Sequence, residues 1–140
     1  MDAEECLQKG LLKKEKPDRE KAGASIEAAK KKLKKAKELT KVNILDMAEV
    51  NAYSAMFHAA RALLFRDGIK ERSHFAVYVY IKEKYGNQIE PRFLNELNVL
   101  RMNRHEIFYG FDEPDLNGEE VRNVIILVES FIGLIKKMLH

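Results

Sequence analysis

VNAYSAMFHAARALLF, residues 50–65, is the stretch on which the fold turns. It is apolar almost all the way round. Its polar residues are Asn51, Ser54, His58 and Arg61, at steps of 3, 4 and 3, and Tyr53 adds an amphipathic ring. Such a pattern is a helix wrapped by neighbours on most sides, with one narrow polar stripe left over. The spacing predicts this helix over 44–66. Asn43 is a cap at its start, and Asp67-Gly68 stops it, with Gly68 free to take a left-handed conformation.

Helical punctuation continues outward in both directions. Upstream, Asp18 precedes Ala22, Ile26, Ala29, Leu33, Ala36 and Leu39 or Thr40 at 3–4 spacing, which predicts a long helix over 18–40. Downstream, Ser73 caps a shorter helix at 75–85, although its YVYIKEKY stretch has the look of a strand. Pro91 opens a helix over 91–108, closed by Gly110. The acidic loop FDEPDLNGEE leads into a last helix over 118–139. A short helix is expected over 3–12, ended by KKEKP. The expected architecture is all-α: an up-and-down four-helix bundle over 18–140 with one or two short extra helices, and 1–17 as an N-terminal segment.

Composition agrees. At 140 residues, with 46% hydrophobic and 34% charged residues but only 7 Gly and 3 Pro, the chain suits one helical core. A lone Cys6 excludes an intramolecular disulfide framework and a cysteine-built zinc site. No apolar run approaches the ~18 residues of a membrane span, so no membrane is expected. The acidic start, MDAEECLQKG, has no apolar h-region, and the cytoplasm is the expected compartment.

The last helix bears on assembly. Val121, Ile125, Val128, Ile132, Ile135 and Leu139 form one apolar stripe; Val124, Leu127, Phe131, Leu134 and Met138 form a second beside it. Two stripes imply either a central place in the bundle or a helix supplied by a second subunit, and a homodimer is expected. Charge is uneven too. Residues 1–42 carry 13 Lys/Arg against 8 Asp/Glu, and residues 43–140 carry 12 against 14. The basic excess is densest in KKKLKKAK at 30–37. This is either a nucleic-acid footprint or a solvated helix face, with Glu27 and Lys31 as an ordinary i,i+4 pair.

The segment LRMNRHEIFYG at 100–110 carries the unusual chemistry. At about 100° per residue, Phe93, Leu97, Leu100, Ile107 and Phe108 share a face, Arg104 falls near its centre and Arg101 on its edge. Desolvating a guanidinium costs several kcal/mol. Arg104 therefore faces a carboxylate, a polar groove or a subunit boundary. A structural ion pair and a phosphate-binding cation both satisfy that demand. Neither a Gly-rich phosphate loop nor a His/Asp/Glu metal cluster appears, so no metal and no cofactor is expected. Asp112, Glu113 and Asp115 lack calcium-loop spacing and read as a solvated acidic loop.

AYSAMFHAARALLFRDGIKERSHFAV at 52–77, followed by LNVLRMNRHEIFYG, resembles the HEPN superfamily, in particular its small stand-alone members from archaea and bacteria. The likeness covers about residues 20–138. It implies a four-helix bundle that assembles as a dimer. Active members are metal-independent ribonucleases, whose motif is Arg, often a polar residue, four to six intervening residues and His. There the Arg stabilises the scissile phosphate and the His serves acid–base chemistry on the RNA's own 2′-hydroxyl. Many members are encoded beside a small nucleotidyltransferase as toxin–antitoxin pairs. The partners so implied are a second copy, such a nucleotidyltransferase, and RNA or a nucleotide.

This chain departs from that motif at its main point. Arg104 matches the Arg and His105 the polar position, but Tyr109 stands where the His is expected, four intervening residues on. None of His58, His74, His105 and His140 has an Arg five to seven positions upstream. A tyrosine with an ordinary pKa near 10 is a poor base at neutral pH, although its hydroxyl can bind a phosphate. The candidate site is therefore Arg101, Arg104 and Tyr109, with His105 beside them, and His58 and Arg61 facing the same cleft from the central helix. His74, after the capping Ser73, reads as structural, and Cys6 has no identifiable His partner. The expected function is a binding module for nucleic acid or a nucleotide. The alternative is a metal-independent ribonuclease with a degenerate Arg-x4-Tyr motif, in which Arg104, Tyr109 and His105 are catalytic.

Overall fold

The computed structural model describes residues 1–112 and 114–140; Glu113 of the acidic loop lies outside the described residues. In chain order the elements are α1 (Ala3–Gln8), β1 (Leu12–Lys14), α2 (Arg19–Lys41), α3 (Leu45–Asp67), β2 (Ile69–Glu71), α4 (His74–Tyr85), α5 (Pro91–Tyr109) and α6 (Gly118–Met138). The fold is all-α, a bundle of the four long helices α2, α3, α5 and α6, with α4 against α3 and α5.

Local chemistry sets most boundaries. Asp18 accepts from the Lys21 N–H at 2.9 Å, Ser73 from Ala76 at 3.0 Å and Asn117 from Glu120 at 2.8 Å, each satisfying an orphan donor of a first helical turn. Ser73 thus commits the strand-like YVYIKEKY stretch to helix α4. Asn43 does not cap as its position suggested. It takes the left-handed conformation itself, φ 60°, and Ile44 opens α3 with no side-chain cap.

The N-terminal segment departs from the expected helix over 3–12. α1 ends at Gln8, Gly10 turns the chain at φ 75°, and β1 pairs antiparallel with β2, Lys13 opposite Lys70. Leu12 is buried by this pairing. Gly68 stops α3 with φ 75°, as its position suggested, and lies against the incoming segment: a Cβ there would sit 2.5 Å from the Glu15 carbonyl oxygen.

α3 is the centre of the bundle, packed on α2, α6, α5 and α4. Alanines are fully buried on both sides of the α2–α3 contact, Ala29 and Ala36 on α2 and Ala52, Ala55 and Ala59 on α3, which lets the two axes approach closely. Larger side chains, among them Met56, Leu63, Phe131, Ile135 and Leu97, fill the rest. On α6 the first apolar stripe is buried apart from the partly buried Leu139. The second is half-covered, with Phe131 buried and Val124, Leu127, Leu134 and Met138 only partly so.

One polar cluster locks the far end of α3. Asp67 Oδ2 accepts from the Tyr80 hydroxyl at 2.8 Å and from the Tyr85 hydroxyl, while Arg66 Nε lies 3.3 Å from Asp67 Oδ1. Arg66 also donates to the Tyr85 hydroxyl at 2.8 Å and to the Met138 carbonyl. Three helices, α3, α4 and α6, are tied at one carboxylate and one guanidinium.

Candidate functional site

The polar stripe of α3 that the bundle leaves uncovered forms the wall of a cavity of about 400 Å³. Asn51, Ser54 and His58 line it together with Tyr53 and Phe57. α2 contributes Lys32 and Lys35, α4 its first residue His74, and α5 contributes Arg104 and Phe108. No carboxylate lines the cavity among the described residues.

Arg104 is half-buried and makes no ion pair among the described residues. Its guanidinium instead lies 5.3 Å from the centre of the Phe108 ring. The apolar face of α5 explains this placement. Phe93, Leu97 and Leu100 are buried, but beyond Leu100 the helix leaves the packed core, and Arg104 emerges over the α3 stripe, where water reaches its donors.

Two imidazoles share the cavity. His74 Nδ1 is 2.7 Å from the Tyr53 hydroxyl, and its ring stacks on Phe57 with centroids 4.3 Å apart. Burial lowers the His74 pKa, with Arg104 and Arg101 acting in the same sense and Glu71 against. His58 is lowered by burial too, reinforced by Arg61 and Lys32. Both are therefore neutral at neutral pH. Burial raises the Tyr53 phenol well above the usual range, so it keeps its proton.

The remaining candidates fall elsewhere. Arg61 Nε lies 2.9 Å from Glu71 Oε1, in a geometry too bent for a hydrogen bond, so the contact is ionic; its guanidinium also stands 5.0 Å from the Phe65 ring. Arg101 donates to Asn98 Oδ1 at 2.9 Å and covers the Phe75 ring at 5.2 Å. His105 and Tyr109 sit side by side, ring centres 5.1 Å apart, at the exposed end of α5, with Tyr109 69% accessible. Within one chain the cavity gathers Arg104 and His58 from the expected set; Arg101, Arg61, His105 and Tyr109 do not line it.

Sequence reasoning read His74 as structural and left the 30–37 lysines between a nucleic-acid footprint and a solvated face; the fold brings His74, Lys32 and Lys35 to the cavity. The lysines carried a signal, since Lys32 flanks Leu33 and Lys35 flanks Ala36, both core-facing positions on α2. Elsewhere in the run Lys30 pairs with Glu27 at 3.0 Å and Lys37 with Glu129, as on an ordinary solvated face. His74 carried no such signal, because its partner Tyr53 lies on another helix.

A buried carboxyl supports the α5 wall. Glu49, 5% accessible, accepts from Asn103 Nδ2 at 3.3 Å, one residue before Arg104. Burial raises its pKa, with Glu96 and Glu120 adding and the Asn103 hydrogen bond opposing. A raised folded-state pKa means that the native state holds this proton more tightly than the unfolded chain. Stability is then lost as pH climbs from the ordinary carboxylate range through the raised value. Glu49→Gln keeps an acceptor for Asn103 without the charge. Its melting temperature is expected above the natural chain's at about pH 7.5, with the advantage gone near about pH 4, below the ordinary carboxylate pKa. An unchanged melting temperature at both values would refute this account.

Comparison with known proteins now decides the family. The HEPN domain matches residues 22–138. A protein of Methanocaldococcus jannaschii named "Putative toxin MJ0605" is 33% identical over 137 residues, covering 94% of this chain and 96% of that one. The chain belongs to the HEPN family. Within this HEPN fold the cavity's imidazoles come from α3 and α4, while the position following Arg104 at the family spacing is held by the exposed Tyr109. None of the described helices is long and apolar enough to cross a membrane.

Proposed function

We propose that this HEPN protein has a toxin-like role, as the name of its M. jannaschii relative suggests, and acts by binding a phosphate group of RNA or of a nucleotide in the α2–α3–α5 cavity. The observation that carries the reading is Arg104: a half-buried guanidinium without a carboxylate partner among the described residues, in one cavity with Lys32 and Lys35. A cationic cleft with no anionic lining favours a polyanion, because each phosphate contact releases condensed counterions. Arg104 supplies a planar fork of donors, and the lysines supply point charges at the rim.

The working form in this proposal is a homodimer. Val99, Met102 and Tyr109 share an exposed side of α5, and Phe111 just beyond it is exposed too, an apolar surface in need of a cover. Pairing two copies there brings Tyr109 and His105 of each into the interface. A small nucleotidyltransferase remains the antitoxin-type partner that the family resemblance implies.

His58 favours a second reading, metal-independent RNA cleavage. It is a half-buried neutral imidazole in the same cavity as Arg104, fit to accept a proton. One set of measurements on purified protein with RNA and a chelator separates the readings. Binding is expected without cleavage, at twice the 16.2 kDa chain mass in sedimentation. The expected slope of log affinity against log salt is about −2, the value for three phosphate contacts on a single strand. Cleavage that Arg104→Ala abolishes would move the assignment to a ribonuclease, and a salt-independent affinity would end the phosphate reading.

A further inference from the structure

Tyr53 belongs to the buried core and stacks with His74 around Phe57, and the Tyr53–His74 pair also sits on the cavity that holds Arg104. Tyr53 is 2% accessible, and the His74 ring is the partner its hydroxyl has among the described residues. A buried phenol must place its proton somewhere, and Nδ1, 2.7 Å away, is the acceptor within its reach. With Nδ1 accepting, a neutral imidazole carries its hydrogen on Nε2. Nε2 has no hydrogen-bond partner among the described residues, on a side chain that is only partly buried and lines the cavity.

We infer that Tyr53 locks His74 as a neutral Nε2–H donor, and that this donor and the Arg104 guanidinium together hold the oxygens of one bound phosphate. The inference rests on the phosphate-binding reading of the cavity and gives His74 a ligand's role there, with Tyr53 as its positioning residue. The stack on Phe57 fixes the plane of the ring, as the hydroxyl fixes its rotation. A neutral donor suits this place. Arg104 and Arg101 of α5, Arg61 of α3 and the lysines of α2 already surround it, and Glu71 of β2 is the acidic group that offsets them. A second positive charge on His74 would be resisted by all of these cations. Its hydrogen bond, unlike an imidazolium's, does not vanish as pH rises through neutrality.

The test uses the full chain and two probes: a short single-stranded RNA without a terminal phosphate, whose diester charges do not titrate near neutrality, and a nucleoside 5′-monophosphate. His74→Ala is expected to weaken binding of at least one probe by about tenfold, the scale of a hydrogen bond to a charged group. His74→Gln, which keeps an N–H donor, recovers most of the loss. RNA affinity of the natural chain, corrected for the other groups through His74→Gln, stays level from about pH 6 to about pH 8, on either side of the ordinary imidazole pKa. In Tyr53→Phe the ring keeps its burial and its cationic neighbours but loses the bond that fixes its tautomer, so affinity is expected to fall part of the way toward the His74→Ala value. Long-range nitrogen–proton NMR on the natural protein reads the tautomer directly, and a hydrogen on Nδ1 overturns the inference. If Arg104→Ala weakens binding and His74→Ala changes neither probe, His74 is not a ligand and the cavity reading stands. If neither substitution matters, the cavity reading itself is lost, and this inference with it.

Discussion

Arg104→Ala is expected to weaken RNA binding by roughly tenfold to a hundredfold while leaving the melting temperature almost unchanged. The affinity loss corresponds to one charge-assisted contact of about 1.5–3 kcal/mol. The stability half follows from the missing partner. Removing one member of a buried ion pair strands the other and costs about 3–5 kcal/mol, but no carboxylate among the described residues is paired with Arg104. What the guanidinium gives up is its position by the Phe108 ring, a contact of about 0.5–1 kcal/mol at a partly exposed site. It also relieves the charge that helps depress His74. Titration with labelled RNA beside a thermal melt tests both halves. A variant that melts far below the natural chain would show that Arg104 is a structural cation.

Asp67→Ala is expected to have the opposite profile, destabilising the fold by about 3–5 kcal/mol and lowering the melting temperature by roughly 10–20 °C for a domain of this size. Its carboxylate accepts from two phenols and pairs with Arg66, and both charged side chains are largely shielded, at 15% and 20% accessibility. Alanine leaves the Tyr80 and Tyr85 hydroxyls without their acceptor and Arg66 without its counter-charge. The helices they join, α3, α4 and α6, meet away from the cavity, so the variant should still bind RNA at temperatures where it is folded. Asp67→Asn, which keeps a carbonyl acceptor and loses the charge, should fall between the two. A loss below about 1 kcal/mol for the alanine variant, within the range of ordinary surface changes, would mean that packing alone holds this junction.

The helices were legible because their causes are local. The narrow polar stripe at Asn51, Ser54, His58 and Arg61 could belong only to a helix wrapped by others, and Asp18, Ser73, Gly68 and Pro91 mark boundaries through the backbone groups of their own turn. The misreadings have a common cause in distant partners. β1 forms because residues some 57 positions away, Lys13 opposite Lys70, offer it a ladder. Asn43 forgoes its cap because the chain must reverse between α2 and α3 at that residue.

By itself, then, the sequence determined the element types, the central helix and the presence of a cation on α5 that the core could not absorb, all consequences of periodicity and short-range hydrogen bonding. Tertiary structure decided which side chains meet that cation. α5 leaves the core after Leu100, which places Arg104 over the open stripe of α3 and leaves His105, the next residue, and Tyr109, more than a turn further on, at the surface. The same packing brings His74 to Tyr53, 21 residues apart in the chain, and Lys32 and Lys35 to the opposite wall. The reason is geometric. A helix states which of its residues share a face, but the neighbour across that face is set by how long helices cross, and no residue encodes that alone.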